Sequence, residues 1–75
     1  MLPEEVQATL ESIESAIREQ VLLKMVYEGS FRSTRTVRPV SLIHSRGNFY
    51  MNAFCVRAKA ERTFRVDRIS GVKAI

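Results

Sequence analysis

Three arginines spaced three residues apart, Arg62, Arg65 and Arg68, stand within the segment ERTFRVDRI. A guanidinium is a permanently charged plane of donors that meets two phosphate or carboxylate oxygens at once. The chemistry such a group offers is anion binding rather than bond making. A spacing of three would stack the arginines along a helix, yet Thr63, Phe64 and Val66 favour extended chain and no apolar i, i+4 stripe accompanies the charges, so the segment reads as a strand. In a strand Phe64 and Val66 share one face, with Arg62 starting on their side, while Thr63 and Arg65 take the other. The charges then leave in more than one direction, and a bend near Asp67 is needed to bring the three heads together. The competing use is structural, with Arg62 or Arg68 paired to Asp67, Glu61 or backbone carbonyls and holding the fold closed.

Other chemistry-bearing residues are sparse. His44 is the sole histidine, and no Cys/His cluster at ligand spacing accompanies it, so a metal or catalytic role lacks partners. Its place beside a basic turn leaves phosphate or base contact and plain surface exposure as alternatives. Cys55 falls on an apolar strand face, where it reads as a small core hydrophobe with a thiol switch as the other use. The serines and Thr63 have no nucleophile-elbow context and the glycines make no phosphate-binding loop. No enzyme activity, metal or cofactor is therefore expected.

The net charge of +4 conceals a division. Residues 1–19 hold five glutamates against Arg18 alone, for −4, whereas residues 20–75 carry eleven Lys/Arg against three acids, for +8. A basic field of this kind favours polyanions, nucleic acid first and acidic membrane or protein surfaces second. Seventy-five residues make one domain with a small buried core, which points to a compact barrel, an oligomer or a piece of a longer parent protein. The single cysteine excludes an internal disulfide, and no basic start followed by a long apolar run opens the sequence, so a cytoplasmic location is expected. The longest apolar stretch, Val21–Tyr27, is broken by Lys24 and far shorter than the roughly 20 residues that span a bilayer.

The elements that must position these groups follow from periodicity. Val6, Leu10, Ile13, Ala16 and Ile17 recur at helical spacing, with Pro3 in the first turn and Glu4 and Glu5 at the positive end of the dipole, which predicts a helix over 1–20 capping one end of a β-core. After Gln20 the period becomes two: Val21, Leu23, Met25 and Tyr27 mark a first strand. A polar loop, EGSFRSTR, precedes a second strand in which Pro39 marks an edge, bulge or bend. Arg46-Gly47-Asn48 closes a hairpin. In the third strand Phe49, Met51, Ala53 and Cys55 form an apolar face, while Asn48, Tyr50, Asn52, Phe54 and Val56 form a mixed one on the other. That mixed face suits a base-stacking platform, a dimer contact or a surface beneath the helix. The arginine strand and a last strand over Gly71–Ile75 bring the count to one helix and five strands.

In this order the helix, the five strands, Arg35-Thr36-Val37-Arg38-Pro39, Phe49-Tyr50-Met51, Ala53-Phe54-Cys55 and Arg62-Thr63-Phe64-Arg65-Val66-Asp67-Arg68-Ile69 resemble a WYL domain, with Phe49-Tyr50-Met51 in place of the Trp-Tyr-Leu triplet. The resemblance implies a strongly bent, antiparallel, Sm-like five-stranded β-barrel over 21–75 behind the helix. It further implies a bacterial regulatory module of transcription regulators or defence-associated proteins, binding single-stranded nucleic acid or a nucleotide-like effector. The ligand surface it implies comprises Tyr50, Arg62, Arg65 and Arg68, with Arg35, Arg38 and His44 beside them. Phe49 departs from the family's Trp and removes an indole donor, and Arg38 stands where acidic or polar residues are common. A protein-interaction or oligomerisation module within a larger complex is the alternative, because a short barrel leaves edge strands open for pairing.

Overall fold

The computed structural model describes residues 3–75. Met1 and Leu2, counted in the predicted helical segment, lie outside them. One helix, α1 (Glu4–Glu19), precedes five strands: β1 (Leu23–Glu28), β2 (Arg32–Ser45), β3 (Asn48–Cys55), β4 (Ala60–Arg65) and, after a 3₁₀ turn at Val66–Arg68, β5 (Ile69–Ala74). The strands form a single sheet in the order β4-β3-β2-β1-β5, and every paired neighbour is antiparallel.

The helix ends where Gln20 adopts the left-handed conformation, with the Gln20 and Val21 amides returning to the Ile17 and Ala16 carbonyls. Its buried residues, Leu10, Ile13 and Ala16, join Leu23, Met25, Val37, Met51, Ala53, Cys55, Phe64, Val66 and Ile69 in one core cluster. The alternation read from the sequence therefore holds in β1 and β3: odd-numbered residues line the core and even-numbered ones face away from it. Because α1 covers the core face, Tyr50 and Phe54 do not lie beneath it.

Two boundaries differ from the sequence reading, one of them the last strand, which begins at Ile69 rather than Gly71. The segment EGSFRSTR is not all loop, since β2 already begins at Arg32 and pairs Arg32–Thr36 with β1. Alternating arginine, serine and threonine carry no hydrophobic period, so the sequence hides a strand that ladder bonds create. Pro39 sits at a register shift between Pro39 and Ser41 in the β2–β3 ladder, the bulge its missing donor implies. The β2–β3 hairpin closes through Arg46 and Gly47, both at positive φ, which is the pairing a two-residue turn needs to match strand twist.

The outer strands β4 and β5 share no ladder, so hydrogen bonds do not close the predicted barrel. Curvature is nonetheless strong. Tyr27 on β1 reaches β4, with two strands between them in the sheet, where its ring meets Phe64 edge-on at 5.0 Å and its Oη accepts the Arg65 amide N–H at 3.1 Å. The tyrosine thus takes up a backbone donor at the point where β4 leaves the sheet.

Candidate functional site

The strand ladder sorts the candidate residues onto two faces. Tyr50 pairs with Ile43 on one side and Arg65 on the other, and Phe54 pairs with Arg38 and Glu61, so Tyr50, Phe54, Arg38 and Arg65 share the face away from the core. Between them Asn52 pairs with Thr63, whose hydroxyl donates to Asn52 Oδ1 at 2.7 Å. The Arg38 guanidinium lies 5.8 Å from the centre of the Phe54 ring, in cation–π range. This face carries two aromatic–arginine neighbours separated by a polar pair.

Arg62 instead pairs with Ala53, a core position, and leaves from the opposite face, where it is exposed and its Nη1 donates to the Glu61 carbonyl at 3.2 Å. The 3₁₀ turn supplies the bend foreseen near Asp67, and Arg68 emerges from it exposed. Of the three arginines, Arg65 is the one paired with Asp67, whereas Arg62, expected with Arg68 to take Asp67, Glu61 or a backbone carbonyl, takes the Glu61 carbonyl. The Arg65 Nε lies 2.8 Å from Asp67 Oδ1, and the Arg65 Nη2 donates to Asn48 Oδ1 at 3.1 Å. Nε is shielded from solvent and its alignment is that of an ion pair rather than a hydrogen bond. Both side chains keep over a third of their surface exposed, so the pair adds at most about 1 kcal/mol. Its main effect is to fix the Arg65 guanidinium between Asp67 and Asn48.

The remaining candidates lie elsewhere. Arg35 pairs with Met25 and faces inward. Its Nε donates to Ser33 Oγ at 3.3 Å and its guanidinium stands 5.7 Å from the Phe64 ring centre. His44 is exposed and stacks on its cross-strand partner Phe49 at 4.4 Å and 17°. Sequence reasoning left Cys55 as a core hydrophobe, and it is buried, but its surroundings are polar on one side. Burial pushes its thiol up, yet the Ala58 amide, the Arg35 guanidinium and the Arg57 amide more than offset this and hold it below its ordinary 9.0. No pattern in the sequence signals that arrangement, because it depends on the turn that follows β3.

Among the described residues no helix is long and apolar enough to cross a membrane. The structure is similar to that of proteasome accessory factor B/C (PafBC) of Arthrobacter aurescens, with a TM-score of 0.90 and 26% identity. The likeness covers 99% of this chain and 12% of that one, as fits one domain of a larger protein. No curated protein sequence matches. A profile of the WYL domain matches residues 8–74, nearly the whole length, and the chain belongs to the WYL domain family.

Proposed function

We propose that this WYL domain is a regulatory effector-binding module that takes single-stranded nucleic acid, or a shorter nucleotide-like anion, on the sheet face bearing Tyr50, Phe54, Arg38 and Arg65. The observation that carries the reading is the alternation of ring and guanidinium on that face, left uncovered by α1. Tyr50 and Phe54 are four residues apart on β3, about 14 Å at the roughly 3.4 Å rise of an antiparallel strand. Two bases splayed from one strand can use these rings in succession, while Arg65 and Arg38 stand beside each ring to meet phosphates. Stacking needs no particular base edge, so the module tolerates sequence. Arg68, exposed on the adjoining turn, extends the basic track past Arg65.

Titration of fluorescent single-stranded oligonucleotides at 50 and 200 mM salt tests this. Neutralising about four phosphates gives a slope of log affinity against log salt near −3, a loss on the order of 50-fold between the two conditions. Absence of saturable binding to oligonucleotides and to mononucleotides alike would overturn the proposal.

A further inference from the structure

β2 is longer than its neighbour. It runs 14 residues against 8 for β3, and the β2–β3 ladder starts only at Val37 opposite Cys55, after which the chain turns away through Val56–Lys59. The first residues of β2, Arg32–Thr36, are laddered to β1 on one side. On the other side the Val56 amide donates to the Thr36 carbonyl at 3.1 Å, which fixes the direction of the Thr36 backbone groups. Backbone groups alternate sides along a strand, so the N–H and C=O of Thr34 and Arg32 face the same way as those of Thr36. Among the described residues no strand lies beside them.

A cleft of about 450 Å³ occupies the place where β3 would have continued, lined among others by Phe31, Arg35, Cys55, Arg57 and Ala58. Phe31, at its rim, is 78% exposed, and Val56 beside the turn is 43% exposed. Arg32 and Arg57 are exposed, Arg35 is half-buried, and no carboxylate lines the cleft. Glu28, the register partner of Arg32, instead accepts the Ser70 hydroxyl at 3.4 Å.

We propose that this free edge of β2 binds an acidic peptide segment in extended form, adding it to the sheet as a strand beyond the end of β3. Strand addition draws its affinity from main-chain hydrogen bonds and its selectivity from alternate side chains. The backbone at Thr34 offers one donor and one acceptor together, and a peptide satisfies both. A phosphodiester has acceptors for the N–H but no donor for the carbonyl, which sets this edge apart from the oligonucleotide face. The carboxylates, all on one face of the added strand, would meet Arg35 and Arg57, which line the cleft, and its apolar residues, on the other face, would cover Val56.

The test uses the full chain, nitrogen-15 labelled, and a blocked pentapeptide alternating glutamate and valine. Amide shifts are expected at Thr34–Thr36 and Val56–Ala58, with slowed hydrogen exchange at Arg32 and Thr34 on saturation. Arg57→Glu, on an exposed turn, should weaken binding on the order of tenfold. Thr34→Pro removes the donor at a position that gives none to β1, and should abolish binding while the spectrum stays dispersed. Tyr50→Ala should weaken oligonucleotides and leave the peptide unchanged. A lysine–valine peptide that binds equally, a backbone N-methylated peptide that binds equally, shifts centred on Tyr50 and Arg65, or no shifts at millimolar peptide would each overturn the proposal. Peptide failure with oligonucleotide binding intact sinks this inference alone.

Discussion

The Arg65 guanidinium lies 2.8 Å from the Asp67 carboxylate across the junction between β4 and the 3₁₀ turn, so a residue on the candidate ligand face is positioned by the protein's own acid. The pairing leaves Arg65 with partial neutralisation and a fixed plane. Asp67→Asn keeps the size of the side chain and removes its charge. The ion pair is partly exposed and adds at most about 1 kcal/mol, which for a domain of this size corresponds to a fall in Tm of less than roughly 8 °C. Oligonucleotide affinity should rise about two- to threefold as the competing charge disappears. Thermal melts and titrations on one preparation check both signs; weaker binding would mean that the fixed orientation of Arg65 outweighs its partial neutralisation.

Tyr27→Phe retains the ring contact with Phe64 and deletes the acceptor for the Arg65 amide. A part-buried N–H left without its partner costs about 1–2 kcal/mol, or a fall in Tm of roughly 5–15 °C. Faster amide exchange at Arg65, more than elsewhere in β4, is the specific readout. An unchanged exchange rate there would mean that water replaces the hydroxyl at no cost, and that the tie does not hold β4 against the curled sheet.

How far these features can be read without coordinates follows from what each residue contributes alone. Met51, Ala53 and Cys55 announce a core face because alternation is a property of the strand itself, and Gly47 announces its turn because few other residues accept the backbone angles there. Arg32–Arg35 do not announce a strand, since their order comes from the β1 ladder rather than from their own polarity. The identity of the arginine that pairs with Asp67 was hidden for a similar reason. Three candidates stand within six residues of the acid, and the 3₁₀ turn decides which head meets it. The cleft at the end of β3 is a mismatch of strand lengths, visible only once register is known. Tyr50, Arg65 and Arg38 were legible as candidates, but their shared face required the β2–β3 bulge at Pro39 to be placed.

The thiol of Cys55 gives the stability a pH dependence of definite sign. Its folded pKa lies below 9.0, so between the folded value and 9.0 the unfolded chain carries a proton that the folded chain has lost. Stability therefore rises with pH across that window, and this contribution disappears as pH falls through the folded value. Denaturant unfolding under reductant at a series of pH values up to 9.0, compared with Cys55→Ala, isolates the effect. The slope should be present in the native chain and absent in the variant. Equal slopes would show that the Ala58 and Arg57 amides and Arg35 do not stabilise the thiolate.

Stacking and charge on the outer face are separable by salt. Removing a guanidinium that meets a phosphate releases fewer counterions, so Arg68→Ala and Arg38→Ala should each make the log–log salt slope shallower by about 0.7 for a single strand. Tyr50→Ala removes no charge. It should lower affinity by about 1–3 kcal/mol, roughly 5- to 150-fold, at an unchanged slope. Arg62→Ala is the internal control, because Arg62 leaves from the opposite face and its loss should alter the slope less than that of Arg68. Oligonucleotide titrations at four salt concentrations distinguish these outcomes. Were Tyr50→Ala to flatten the slope as an arginine substitution does, or Arg62→Ala to match Arg68→Ala, the ligand would be crossing the edge of β4 rather than lying along β3.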